Sequence, residues 1–166
     1  MRLYLVQHGQ ALSKEEHPDR PLSEAGHHDV HRLAAFLKMA GIKVNRTLHS
    51  GKTRAQQTAE ILAASTMPQG QVASIEGISP NDPTDRLMDQ IKDWDDDTLV
   101  VGHLPYMARL VSQLVTQQQN HGVTGFEPGT LVCLERTASG GWEIILMLRP
   151  TQLAHMDDSQ QQLTSG

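Results

Sequence analysis

The chain has 166 residues, of which 38% are hydrophobic and 20% are charged, a size and composition typical of one globular domain with a sizeable core. Its formal net charge is −5, and no basic cluster along the sequence offsets it, which argues against nucleic acid as a partner. The sequence has no run of about 18 apolar residues, so it predicts no membrane span. A small anionic substrate stays compatible, because a local pocket can be positive on a negative protein.

The cysteine content indicates the compartment. Cys133 is the sole cysteine, so an intrachain disulfide is excluded and a reducing cytoplasm is the natural interpretation. The apolar run over residues 3–6 is too short for a signal peptide. We therefore expect a cytoplasmic protein, and, since no large apolar patch can be deduced from the sequence, a monomer.

Short apolar segments, often β-branched, alternate with segments of helical periodicity. The apolar segments predict strands over residues 2–6, 46–49, 72–75, 98–101, 130–134 and 142–148. The periodic segments predict helices over residues 24–39, 52–64, 84–93 and 105–116. This alternation predicts an α/β fold, a three-layer α/β/α sandwich around a mostly parallel central sheet.

Local signals indicate where several elements end. Ser23 is expected to cap the first helix and Gly41 to stop it. The turn sequence Ala-Ser-Gly-Gly at residues 138–141 predicts that the last two strands form an antiparallel hairpin at an edge of the sheet. From residue 151 the chain is rich in Gln, Ser and Asp. We therefore expect one domain over residues 1–150, followed by a polar, frayed tail over residues 151–166.

Polar residues directly follow three of the predicted strands. His8 follows the first strand, Ser50 the second and His103 the fourth. In open α/β sheets, ligands bind beyond the carboxyl ends of the parallel strands. We therefore expect these three side chains to meet at one rim, where Arg54, at the start of a helix, completes a candidate anion pocket.

Each residue of this pocket has a chemical role to offer and an ordinary structural alternative. The neutral imidazole of His8 can attack phosphorus and hold a phosphoryl group covalently, and Gly9 keeps that approach open. The planar Arg54 guanidinium suits bidentate phosphate binding, and His103 precedes a helix N-terminus, which favours an anion. Taken singly, a strand-end histidine is usually a surface or core residue and a helix arginine is usually solvated. The combination is what indicates phosphoryl chemistry.

Two other patterns carry no function. Residues 50–53, Ser-Gly-Lys-Thr, look like the end of a P-loop, but that motif needs glycine at the position of Arg46. His27 and His31 share a helix face at a spacing that can bind a metal, but no third ligand is evident, so a solvated face is expected.

Four ordered motifs resemble the histidine phosphatase superfamily, which also contains the cofactor-dependent phosphoglycerate mutases. The resemblance is strongest to its small bacterial SixA-type phosphohistidine phosphatases and covers residues 1–150. Gln-His-Gly at residues 7–9 stands where that family opens with Arg-His-Gly. Residues 20–26 resemble its Arg-Pro-Leu-Thr-x-x-Gly segment, residues 50–58 its Ser-Pro-x-x-Arg-Ala-x-Gln-Thr segment, and residues 102–105 its later histidine motif.

The resemblance implies a phosphoglycerate mutase-like fold and a role for each matched residue. His8 would be the nucleophile that becomes phosphorylated, and the catalytic set would be His8, Arg54 and His103. The implied phosphate-binding set is Gln7, Gly9, Arg20, Arg54 and His103. No metal and no cofactor is implied. The implied substrate is phosphohistidine or a similarly labile phosphate ester or amidate, carried by a signalling or phosphotransfer protein.

The small members of this family lack the inserted segment that carries a general acid in the larger ones. A phosphohistidine leaving group is an imidazole, whose conjugate acid has a pKa near about 6.5, so a strong general acid matters less than for an alkoxide. The segment between residues 64 and 98 is too short for the capping insertion that a mutase would need. A phosphatase is therefore favoured over a mutase.

Gln7 departs from the family pattern, because it keeps an N–H donor but lacks the positive charge of arginine. A hydrogen bond to a charged group is worth about 1.5–3 kcal/mol, so its loss from the transition state would lower the rate about 10- to 150-fold. Two alternatives stay open. Lys52 or Arg20 restores the charge of a modest enzyme, or the chain is a catalytically weakened phosphohistidine- or phosphate-binding regulatory module. The retained His8 favours the enzyme, because a pure binding module needs no nucleophile.

Overall fold

The computed structural model describes residues 1–155. Its strands are β1 (Arg2–Gln7), β2 (Arg46–His49), β3 (Val72–Ser74), β4 (Thr98–Gly102), β5 (Leu131–Arg136) and β6 (Trp142–Leu148). They form one sheet in the order β3-β2-β4-β1-β5-β6. The first four strands pair in parallel, whereas β5 and β6 are antiparallel and place β6 at an edge. The mostly parallel sheet and the edge hairpin are both confirmed.

Helices cover both faces of this sheet. The described helices are α1 (Glu24–Met39), α2 (Thr53–Thr66), α3 (Asp85–Lys92), α4 (Tyr106–Thr116) and α5 (Pro150–Leu153). Along β1, Tyr4 and Val6 pack with α1, α2 and α5, whereas Leu3 and Leu5 pack with α3 and α4. Because successive strand residues point to opposite faces, a strand covered on both sides reads as one continuous apolar run. The predicted three-layer sandwich is confirmed.

The strand register aligns the carboxyl ends of three strands. Gln7 of β1 lies opposite Gly102 of β4, and His49 of β2 lies opposite Val101 of β4. The residue that follows each strand therefore emerges at the same edge of the sheet. This is the edge at which ligands bind in parallel α/β folds.

The N-terminal end of α1 packs closely against the loop that follows β1. A Cβ on Gly26 would lie 2.0 Å from the carbonyl oxygen of Gln10, and a Cβ on Gly9 would lie 2.7 Å from a valine methyl group of α1. The Ser23 hydroxyl accepts a hydrogen bond from the Gly26 N–H at 3.0 Å, which confirms the predicted N-cap. The Ser23 N–H donates to the Gln10 carbonyl at 2.9 Å. This end of α1 therefore fixes the loop that carries His8.

The predicted element bounds agree with the structure to within two residues. Gly41, with a φ of +66°, follows the C-cap residue Ala40 and ends α1 as predicted. The predicted tail starts at residue 151, but this position lies within helix α5. Leu153 of this helix is 4% exposed and packs into the core. One buried leucine in a polar stretch gives too weak a pattern to predict a helix. The remainder of the predicted tail, residues 156–166, lies outside the described residues.

Candidate active site

A cavity of about 400 Å³ lies at the edge where β1, β2 and β4 end. Its lining includes Gln7, His8, Arg20, Arg54 and His103. The fold therefore brings together five of the six residues that the sequence predicts to act on a phosphoryl group.

Gly9, the sixth predicted residue, does not line this cavity. It is buried, and its N–H donates to Thr58 Oγ1 at 3.1 Å. The missing side chain of Gly9 allows α1 to pack closely, and the phosphate-binding role of this residue stays a prediction.

The two ring nitrogens of His8 have distinct partners. Nδ1 lies 2.7 Å from the Gly9 carbonyl oxygen, and because a carbonyl only accepts, Nδ1 carries the proton. Nε2 is then unprotonated, and Arg54 Nε donates a hydrogen bond to its lone pair at 3.2 Å. The nitrogen that can attack phosphorus thus lies next to a cation that can neutralise phosphoryl charge.

Both active-site histidines are neutral at pH 7. Burial is the main cause that lowers the pKa of His8 to about 4, and the nearby charges of Arg54 and Arg20 act in the same direction. Burial, followed by the neighbouring His8 and the cations around it, lowers the pKa of His103 to about 3. The positive charge of the cavity therefore comes from its arginines, and His8 Nε2 is unprotonated, as a nucleophile requires.

His103 is held beside His8. The two ring centroids are 5.0 Å apart with a tilt of 56°. Nε2 of His103 lies 2.5 Å from the Ser50 hydroxyl oxygen, whereas Nδ1 is buried and has no hydrogen-bond partner within residues 1–155. Ser50 therefore orients the ring, and the imidazole can donate a hydrogen bond to an oxyanion in the cavity once it adopts the appropriate tautomer.

Gln7 places an uncharged amide where the resemblance implies an arginine. The residue is 7% exposed and lines the same cavity as the two histidines. Its Oε1 atom is buried without a hydrogen-bond partner among the described residues. A lone buried acceptor costs about 1–3 kcal/mol, and the uncharged amide supplies no positive charge for a phosphoryl group at this position.

Arg20 reaches the cavity from a constrained loop. Its backbone φ is +49°, a conformation that is uncommon for residues other than glycine. The loop holds it through hydrogen bonds from the Arg20 N–H to the His17 carbonyl at 3.0 Å and from Nε to the Leu12 carbonyl at 3.1 Å. Such strain persists where the surrounding structure fixes it, which is typical of binding sites.

Two residues of α2 position this site without lining the cavity. Thr58 accepts from the Gly9 N–H at 3.1 Å and donates to the Arg54 carbonyl at 2.8 Å. Gln57 Oε1 accepts from the Leu22 N–H at 2.8 Å. Both residues stand at the end of the motif over residues 50–58, but nothing in the motif itself shows that its last residues tie two loops to the helix.

The loop over residues 79–84 forms another side of the cavity through Pro80. Arg109 of α4 donates to the carbonyl oxygens of Pro80 and Asp82 at 3.1 and 3.0 Å. The Asp82 carboxylate accepts from the Ser79 N–H at 2.8 Å. Asp82 therefore shapes this loop.

Within residues 1–155, no group of three or more His, Cys, Asp or Glu side chains is arranged to hold a metal ion. The helical face of His27 and His31 thus gains no third ligand there. No described helix is long and apolar enough to cross a membrane.

We expect the protein to lose stability as the pH falls from 6.5 to 4. In this window the unfolded chain protonates His8 and His103 near their ordinary pKa of 6.5, whereas burial keeps the folded-state pKa values at about 4 and about 3. The unfolded state then binds more protons, and stability decreases with decreasing pH. Thermal unfolding across this range should show a Tm that falls a few degrees further in the wild type than in a His8→Gln/His103→Gln variant. Parallel Tm curves would contradict this.

Comparison with known sequences supports the superfamily predicted from the motifs over the first part of the chain. Residues 3–76 match the model of the histidine phosphatase superfamily, branch 1, a region that contains His8, Arg20 and Arg54. An uncharacterized protein of Picosynechococcus sp. is 28% identical over an alignment 168 residues long. This alignment covers 92% of this chain and 99% of that protein.

Comparison with solved structures confirms the phosphoglycerate mutase-like fold of the histidine phosphatases. The protein histidine phosphatase SixA, solved with tungstate, gives a TM-score of 0.81 at 21% identity over 92% of this chain and 99% of SixA. The α-ribazole phosphatase of Shigella flexneri gives a TM-score of 0.75 at 15% identity over 90% of this chain and 97% of that protein. The names of these two proteins give different substrates, so the shared fold does not choose between them.

Proposed function

We propose that this chain is a phosphohistidine phosphatase that works through a phosphoryl intermediate on His8. The observation that carries the proposal is the unprotonated Nε2 of His8, which accepts from Arg54 Nε at 3.2 Å inside a cavity that Arg20 and His103 also line. A nucleophile, two cations and a second imidazole surround one volume. This is the arrangement that covalent phosphoryl transfer needs.

In the first step, His8 Nε2 attacks phosphorus. The new N–P bond forms as the N–P bond of the substrate breaks, and the electron pair of that bond stays on the substrate imidazole. The His8 ring becomes a positively charged phosphoimidazolium, which the Gly9 carbonyl stabilises by accepting from Nδ1–H. Arg54, Arg20 and His103 contact the phosphoryl oxygens.

In the second step, water attacks the phosphoryl group on His8. The bond between phosphorus and Nε2 breaks, and its electron pair returns to Nε2. One proton of the water stays on the phosphate and the other leaves to solvent. No metal or cofactor takes part in either step as we propose it.

Phosphohistidine is the substrate class that this site serves most easily. A phosphorylated imidazole that is protonated on its other nitrogen departs as neutral imidazole, because the pKa of its conjugate acid is near about 6.5. An alkoxide needs a proton from a general acid. No carboxylate side chain lines the described cavity, so an easily released group is favoured.

The alternative is a regulatory module that binds phosphohistidine or phosphate with little turnover. The uncharged Gln7 favours it, because an amide beside the nucleophile stabilises transition-state charge less than a guanidinium would. We rank it second, because the hydrogen bonds of His8 leave Nε2 unprotonated, as a nucleophile requires, and a pure binding module needs no nucleophile.

Phosphate release from three substrates tests the proposal. A phosphohistidine peptide and an aryl phosphate should be turned over at least about 10-fold faster than an alkyl phosphate. Comparable turnover of the alkyl phosphate would contradict the assignment to labile leaving groups. Retention of the phosphohistidine peptide without phosphate release would favour the binding module.

We further propose that the phosphohistidine belongs to a signalling or phosphotransfer protein and that the chain acts in the cytoplasm. The buried, unpaired thiol of Cys133 supports a reducing compartment.

A further inference from the structure

A second cavity adjoins the candidate active site. It has a volume of about 380 Å³, and its charged lining residues are Lys14, Asp19, Arg20, Lys52 and Arg54. Arg20 and Arg54 also line the cavity that contains His8. The two cavities therefore share two guanidinium groups, and one substrate molecule can occupy both.

The basic side chains of this second cavity lack counter-ions. None of Lys14, Arg20, Lys52 and Arg54 has a carboxylate oxygen within 4.0 Å in the part of the chain that the structure describes. Elsewhere basic residues do have such partners, as in the pairs Arg2–Glu135, Lys92–Asp89 and Arg149–Glu127. Some basic residues elsewhere, such as Lys43 and Arg109, also lack a carboxylate partner among the described residues, so what distinguishes these four cations is that they line one cavity.

Further observations point to an anion at this position. The chain carries a net charge of −5, so four converging cations with one acidic neighbour, Asp19, oppose its overall charge. Lys52 provides no side-chain cap to α2, and the first turn of α2 has no acidic residue, so the positive helix end adds to the same field. Burial, followed by repulsion from Arg20, lowers the pKa of Arg54. A bound anion would relieve this repulsion.

We propose that this cavity is a second anionic subsite, which binds a carboxylate of the substrate polypeptide while its phosphoryl group lies at His8. The inference rests on the proposed phosphohistidine phosphatase function and specifies the substrate further: the phosphohistidine is flanked by acidic residues. Lys14 and Lys52 are exposed and supply charge at the outer side, whereas Arg20 and Arg54 connect the subsite to the phosphoryl group.

Two peptides with the same phosphohistidine, flanked by Asp or by Asn, test this subsite. The wild type should show a KM about 3- to 10-fold lower for the Asp peptide, as expected for a few solvent-accessible ion pairs. Raised salt should reduce that preference, because exposed charges are screened. In Lys14→Gln, the ratio of the two KM values should approach one, whereas Lys38→Gln should keep it. The Lys38→Gln substitution removes the same charge, but from the exposed C-terminal turn of α1.

The outcomes separate the subsite from the proposed function. Hydrolysis of both peptides with equal KM would overturn the subsite and leave the phosphatase proposal intact. A preference that Lys14→Gln leaves unchanged would also overturn the subsite. If neither peptide is hydrolysed, the phosphatase proposal fails, and equilibrium binding of the two peptides decides the subsite: tighter binding of the Asp peptide supports it and equal binding overturns it.

Discussion

His8→Ala is expected to lower phosphate release from a phosphohistidine peptide by at least about 10³-fold, as expected when a covalent nucleophile is removed. The reason is geometric. Nε2 of His8 is the nitrogen that Arg54 contacts at 3.2 Å, and the Gly9 carbonyl holds the opposite nitrogen. Phosphate release under single-turnover conditions measures the effect, and mass spectrometry of the intact protein should detect a phosphorylated intermediate in the parent alone.

A matched control separates this effect from the loss of any histidine. His31 is exposed on α1, and His31→Ala should keep the parent rate. His8→Ala removes a partly buried ring. The circular dichroism spectrum and Tm of this variant must therefore be compared with those of the parent, to show that it is folded, before the rate is interpreted. A folded His8→Ala variant that releases phosphate at the parent rate would contradict the intermediate on His8.

The sequence predicts much of this site because of how parallel sheets are built. Each strand is a short apolar run, and the polar residue that ends the run must lie at the carboxyl edge of the sheet. His8, Ser50 and His103 could therefore be brought together without knowledge of any contact. The alignment of Gln7 with Gly102 then makes the two histidines neighbours.

Other features depend on tertiary contacts and have no readable pattern. The helical spacing predicts only that Thr58 lies on a buried helix face. In the structure its hydroxyl also accepts from the Gly9 N–H and donates to the Arg54 carbonyl. The sequence predicts that Gly9 keeps the approach to His8 open, and the structure shows that its missing side chain also lets α1 pack closely. The strained backbone of Arg20 and the second cavity likewise follow from loop geometry rather than from residue type. Spacing along the chain therefore predicts which residues meet, but not which of them hold the others in place.

Gln7→Arg is expected to raise phosphate release about 10- to 150-fold, because a charge-assisted hydrogen bond to the transferring phosphoryl group is worth about 1.5–3 kcal/mol. Gln7 lines the cavity beside His8 and leaves Oε1 without a partner in the described structure. Arginine would replace an uncharged amide with a donor that carries positive charge. The gain should appear in kcat as well as in kcat/KM, as expected of a contact that is stronger in the transition state than in the bound substrate.

The same substitution should lower stability. Position 7 is 7% exposed, and a third guanidinium there would lie near Arg20 and Arg54 with no carboxylate lining the cavity. A buried, unpaired charge disfavours folding unless an anion accompanies it. The Tm of Gln7→Arg should therefore fall in phosphate-free buffer and recover when inorganic phosphate is added, because a ligand of the folded state stabilises it.

Gln7→Met separates charge from size, because methionine is similar in length but has neither donor nor charge. It should remove the unpartnered amide without raising the rate. A folded Gln7→Arg variant with the parent rate would contradict the prediction, because it would show that Arg20 or Lys52 already supplies the missing charge. A parent that releases no phosphate, beside an active Gln7→Arg variant, would place the whole loss at this one side chain: the nucleophile, its arginine and its second histidine are already in position, and the deficit is a single charge at the end of β1.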